Sequence, residues 1–293
     1  MSTPEDSLSE SPASYTFEQQ DNRAIYAADP NNPPWGVLQA CLAWIASVVL
    51  LWLIPQLCAL PYVATHYQGM AGPTKEMLLS DKTFILIIVA GFIPAHVLTL
   101  ALAWAIVTRL GKVSASNALG LRVKSTVEIF ASIGAAIFLF FVAMLLIYKF
   151  GGQDTDLEKI LRSSRAAALI TAFVATATAP LVEEIIYRGL LYSALQRALG
   201  RVFAVILVAS MFAGLHVLQY WPNFGAISAI SLLSLTLTMV RARTGRLLPC
   251  FLIHLVFNGI QSILIVMDPY MHAIYQMWRH EAAGALYLLK FLV

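Results

Sequence analysis

Seven long apolar stretches, at about 36–62, 83–108, 127–148, 167–198, 202–219, 226–240 and 247–267, leave this chain few folds to choose from. A helix needs about 20 apolar residues to cross about 30 Å of hydrocarbon, and within a bilayer its backbone N–H and C=O groups must be satisfied internally. The expectation is all-α: a polytopic transmembrane helical bundle of about seven to eight spans. The eighth would be a last apolar stretch, 282–293, which at 12 residues is short enough to be interfacial or re-entrant instead. Only 12% of the 293 residues are charged, against about 25% in a soluble domain.

The charges that remain are unevenly placed. Residues 1–34 hold Glu5, Asp6, Glu10, Glu18, Asp21 and Asp29 against the single base Arg23. With neither the basic nor the apolar region of a secretory signal, this segment reads as a disordered acidic cytoplasmic tail. Residues 35–110 then form two accessory transmembrane helices, 111–126 a cytoplasmic linker, 127–267 the main bundle, and 268–293 a C-terminal loop with the short apolar helix. The linker contains Gly111, Gly120, Ser114 and Ser116 and reads as a hinge, and Pro222 with Gly225 reads as a short outer gate. Arg109, Lys112, Arg122 and Lys124, then Arg197 and Arg201, then Arg241, Arg243 and Arg246 fall in loops on one face, which the positive-inside rule makes cytoplasmic together with the N-terminus. The opposite loop carries Lys149, Lys159, Arg162 and Arg165, accompanied by Asp154, Asp156 and Glu158. Tyr148, Tyr192, Tyr220, Trp221, Tyr270, Trp278 and Tyr287 sit near span ends and read as interfacial anchors. No basic patch with interleaved aromatics suggests a nucleic-acid partner. Cys41, Cys58 and Cys250 lack metal-ligand spacing and read as buried free thiols.

Against this background, Glu183-Glu184-Ile185-Ile186-Tyr187-Arg188 stands out, because ionisable groups inside a span are costly and mark functional sites. The stretch from Ala166 to Leu199 holds 34 residues, about 50 Å of helix. Pro180 should kink it, and Gly200 should end it. Glu183 lies 17 residues before Gly200 and His216 lies 16 after it, so an antiparallel pair brings the two to nearly one depth. Beyond Gly245, His254 and Asn258 follow by nine and thirteen residues and share a helix face at a similar depth.

Four polar groups can thus converge on one water-accessible pocket. A carboxylate of low dielectric suits a general base acting on water, which points to Glu183, with His216 orienting that water. His254 and Asn258 offer donors for the negative charge that develops on a scissile carbonyl. Glu184 and Arg188, four residues apart, can pair and offset the cost of burying either. A lone membrane histidine is more often a helix-to-helix hydrogen bonder, and a lone Asn is interhelical glue. Co-occurrence on three segments distinguishes this set. Of the remaining histidines, His66 and His272 read as incidental loop residues, and only His96 in the second span is a candidate to support the site or line a pore.

Glu-Glu-x-x-x-Arg at 183–188, Phe-x-x-x-His at 212–216 and His-x-x-x-Asn at 254–258 resemble, in order, the signatures of the CPBP intramembrane proteases, relatives of the type II CAAX prenyl endopeptidase. The resemblance spans roughly 165–265. It implies a membrane bundle with a cytoplasm-facing cavity, an integral protein of the bacterial inner membrane, and peptide-bond hydrolysis by Glu183 and His216 with His254 and Asn258 stabilising the oxyanion. The implied partners are the lipid bilayer and a protein or peptide substrate, with or without a prenyl group. No cofactor is required by this reading, although Glu183, His216 and His254 could make a two-His, one-carboxylate zinc site; the metal-free reading is preferred. The alternatives are a non-enzymatic scaffold or bacteriocin-immunity protein that binds a peptide, and a transporter. The absence of repeat halves counts against the transporter. Neither a His-Glu-x-x-His pair nor a Gly-x-Ser-x-Gly elbow occurs.

Overall fold

The structure, a computed structural model, describes residues 29–70, 72–151, 160–161 and 163–267. Nine helices account for nearly all of these residues: α1 (Val37–His66), α2 (Lys75–Ser80), α3 (Lys82–Val107), α4 (Ala115–Leu119), α5 (Thr126–Phe150), α6 (Arg165–Leu199), α7 (Arg201–Tyr220), α8 (Phe224–Thr244) and α9 (Leu248–Met267). Among the described residues there is no β-strand, and seven helices, all but α2 and α4, are long and apolar enough to cross a membrane. The expected spans are therefore the observed ones, within a few residues at each end. The candidate eighth, 282–293, lies outside the described residues, as do His272, His280, Tyr270, Trp278 and Tyr287.

Local chemistry sets the ends of these helices. Asp81 caps α3 by accepting from the N–H groups of Thr83 and Phe84, Ser125 caps α5 through Glu128 N, Ser164 caps α6 through Ala167 N, and Asn223 caps α8 through Ala226 N. Gly200, at φ 81°, and Gly245, at φ 69°, take the positive backbone angle at which the chain reverses, so α6 and α7 run antiparallel, as do α8 and α9.

Three expectations change on contact with the packing. The linker is no free hinge: Leu119 of α4 is buried in the same core as Leu190, Leu191 and Leu247, and Leu119 and Gly120 accept backbone hydrogen bonds from Leu247 and Leu248. Arg246 further ties the linker down by donating to Arg122 O and pairing with Glu128. That core also holds Ala40 and Ala43 of α1 and Ala103 and Val107 of α3, so the accessory pair is built into the bundle. Nor is Gly225 a gate. A Cβ there would lie 2.7 Å from Ile147 Cα, so the missing side chain is what lets α8 press against α5.

Residues 29–34, assigned from sequence to a loose tail, are docked instead. Arg197 donates to Pro33 O at 2.8 Å and to Trp35 O at 3.0 Å, while Arg241 donates to Pro30 O at 2.6 Å and Asn31 Oδ1 at 3.1 Å. Trp35 is itself buried, its indole N–H donating to Leu190 O. Asp29–Trp35 thus forms a strap across the helix ends. Two smaller readings are corrected as well: Tyr192 is fully buried beneath Arg241 rather than interfacial, and Cys58 is exposed, leaving Cys250 as the buried thiol.

Candidate active site

Pro180 organises the middle of α6. A proline has no N–H, and its ring crowds the carbonyl four residues back, so a regular α-helix cannot run through it unchanged. The chain answers with a wide π-turn over Val174–Thr178, in which the Ala179 N–H bonds Val174 O, five residues earlier. The next acceptor in that pattern, Ala175 O, would need a donor from Pro180 and has none. Asn258 fills the gap, its side-chain amide donating to Ala175 O at 2.9 Å. A second π-segment, Glu184–Leu191, follows the short α-turn Ala179–Glu183. Such widened turns cost helix regularity and gather at functional sites.

Between the two widened turns the adjacent carboxylates part company. Glu184 is fully buried, its Oε1 accepting from Arg188 Nη1 at 2.8 Å. Arg188, equally buried, donates from Nη2 to Ser234 O at 3.1 Å and Ser234 Oγ at 3.0 Å, and from Nε to Thr238 Oγ1 at 3.3 Å. Its guanidinium lies 4.6 Å from the centre of the Phe212 ring, adding a cation–π contact in a dry setting. Every nitrogen of the buried cation is thereby engaged, as a buried charge requires. The expected Glu184–Arg188 pair is present. Ser234 and Thr238, which complete it, were missed, although two hydroxyls four residues apart in an apolar helix were a readable signal.

Glu183 points the other way. Its side chain keeps 22% of its surface exposed and lines a cavity of about 660 Å³ inside the bundle, shared with His216, His254 and Asn258. Most of the remaining lining is apolar, including Val48 and Leu51 of α1, Val89 and Phe92 of α3 and Ile147 of α5. The four residues picked out by spacing thus meet at one cavity.

Hydrogen bonding assigns each ring a direction. His216 stacks on Phe212 with ring centroids 4.5 Å apart, and its Nδ1 lies 2.8 Å from Phe212 O. A carbonyl can only accept, so Nδ1 carries a proton, and in the neutral ring Nε2 is the acceptor. His254 is held more tightly, with Nδ1 2.8 Å from Glu184 Oε1 and Nε2 3.6 Å from Glu183 Oε2. It bridges the buried carboxylate and the cavity carboxylate. Asn258, with one amide hydrogen committed to Ala175 O, retains the other.

This donor set does not gather a metal. Among the described residues no three His, Cys, Asp or Glu side chains are grouped closely enough to hold one. The conditional ligands Glu183, His216 and His254 face one cavity without forming a ligand shell.

A carboxylate, imidazoles and an amide around a cavity inside a membrane bundle make a set suited to hydrolysis within the bilayer. Residues 165–260, about a third of the chain, match the family described as type II CAAX prenyl endopeptidase Rce1-like, the family that the three motifs resemble. That segment is similar to the type II CAAX prenyl endopeptidases, and the seven apolar helices are those of an integral membrane protein. No curated protein and no solved structure matched the chain.

Proposed function

We propose that this protein is an intramembrane endopeptidase in which Glu183 activates water against a peptide bond of a membrane-associated or lipidated protein or peptide. The observation that carries this reading is the split between adjacent carboxylates: Glu184 is spent on Arg188, while Glu183 is left facing the cavity beside two imidazoles.

Glu183 takes a proton from a water that also donates to the bare Nε2 of His216, and the hydroxide oxygen adds to the scissile carbonyl carbon. Negative charge moves to the carbonyl oxygen, where the free amide hydrogen of Asn258 and an N–H of His254 meet it. With Nδ1–H turned to Glu184, His254 donates from Nε2 only as the doubly protonated ring, with the two carboxylates as counter-charges. Glu183 then returns its proton to the leaving nitrogen as the C–N bond breaks, giving a free carboxylate and a free amine. The apolar remainder of the cavity suits a substrate carrying a lipid or an apolar side chain. We assign the strap end of the bundle to the cytoplasm and the protein to a bacterial inner membrane.

The test is cleavage of a farnesylated C-terminal peptide and its unprenylated twin by full-length protein in detergent, with and without a chelator, beside Glu183→Gln. Glu183-dependent cleavage, indifferent to chelator, is the expected result. Turnover by Glu183→Gln at the normal rate overturns the assignment, and binding without cleavage favours a peptide-binding or immunity protein.

A further inference from the structure

A third histidine faces the same cavity from outside the segment that matches the family. His96 of α3 is 4% exposed, lines the cavity, and has its Nδ1 2.7 Å from Thr178 Oγ1 of α6. Thr178 has one hydroxyl proton, directed at Val174 O at 3.2 Å. With that proton assigned to Val174 O, the oxygen accepts from His96 Nδ1–H, and the neutral ring presents Nε2 as its acceptor. Unlike the sealed Glu184 Oε2, this nitrogen keeps accessible surface, and the ring that carries it lines the cavity, so an occupant's donor can reach it.

The position of Thr178 sets this acceptor apart from Glu183 along α6. Thr178 precedes Glu183 by five residues of α-turn, about 7.5 Å along the helix at 1.5 Å per residue. An extended peptide advances about 3.3 Å per residue, so a chain whose scissile bond lies at Glu183 passes His96 about two residues away. We propose that His96 Nε2 accepts a hydrogen bond from a backbone N–H of the bound substrate there, making His96 a substrate-positioning residue supplied by the second membrane span. This inference rests on the protease reading and extends it: α3 then takes part in choosing and aligning the substrate, beyond holding the bundle together.

The experiment measures binding of the farnesylated peptide to full-length Glu183→Gln protein, alone and combined with His96→Ala, His96→Phe and His96→Gln. A companion set of peptides is N-methylated at one backbone nitrogen at a time. His96→Ala and His96→Phe are expected to weaken binding roughly 3- to 10-fold, the loss of one hydrogen bond. The glutamine variant, whose amide oxygen accepts, should recover most of it. One N-methyl peptide should lose the same factor with His96 present and nothing further with His96→Ala. In protein with Glu183 intact, the loss should fall on KM and leave kcat within about twofold. Binding indifferent to His96, or N-methyl penalties that add independently to the His96 change, overturns the proposal. If peptide binds but the intact protein shows no Glu183-dependent cleavage, the protease reading fails, and the N-methyl set decides the contact with His96 separately. No binding at all overturns both.

Discussion

The two faces of α6 treat their polar groups in opposite ways. One face carries Glu184, Arg188 and Gly189 into a dry interior where each polar atom of the guanidinium has a fixed partner. The other carries Ala175, Ala179 and Glu183 into a cavity whose polar groups keep unused donors and acceptors. Neighbouring residues of the same type therefore have opposite fates. The lesson is that a carboxylate can be left facing a cavity without an arginine partner when a second carboxylate next to it takes the local arginine.

Breaking the dry face should have the largest effect. Arg188→Ala strands Glu184 without its cation, a change worth about 3–5 kcal/mol against a total stability of about 5–15 kcal/mol. The expected outcome is loss of most folded protein in detergent, read by size-exclusion recovery. The double change Glu184→Gln with Arg188→Met should restore part of that yield. Breaking the cavity face should do the reverse: Glu183→Gln is expected to lower turnover by about 10²- to 10⁴-fold while leaving the melting temperature within a degree or two.

Asn258 straddles the comparison, since one amide hydrogen serves the backbone and the other the cavity. Asn258→Ala is expected to cost roughly 1–3 kcal/mol through the orphaned Ala175 carbonyl and also about 10²-fold in kcat. A loss confined to one of these readouts would show that the two hydrogens are not divided in this way. The smallest effect is expected far from both faces. At Asp81, burial raises the carboxyl, but hydrogen bonds from Phe84 N–H, Tyr67, Tyr62 and Thr83 N–H outweigh it and hold the group below its usual range. The stability it lends is present above an ordinary carboxylate value of about 4 and fades as pH falls through its lower folded value. An acid melt of Asp81→Asn should therefore lose less stability below that pH than the parent, with cleavage at neutral pH unaltered.

The spans were legible because length and apolarity alone determine them, and the meeting of Glu183, His216, His254 and Asn258 at one cavity because spacing counted from Gly200 and Gly245 survives small errors in helix ends. The Glu184–Arg188 pair followed from four-residue spacing. What escaped was tertiary. Nothing near Pro180 in the sequence says that its missing N–H is answered by Asn258, 78 positions on. The strap was misread because Pro, Asn and Asp look like a tail until buried arginines claim their carbonyls. His96 looked minor because its partner Thr178 lies 82 residues away.

The strap also has a consequence for biosynthesis. Asn31 leaves the ribosome 210 residues ahead of Arg241, about 10 to 40 s at ordinary elongation rates. Arg197 can take Pro33 O and Trp35 O once the fourth crossing is in place, but Pro30 O must wait for Arg241 at the end of the sixth. An even number of crossings returns the chain to the side where it started, so strap and anchor cannot meet if a single one has been skipped. A nascent chain with a missed or inverted helix leaves Arg241 without its carbonyl acceptors, so the docked strap acts as an internal proof of correct insertion.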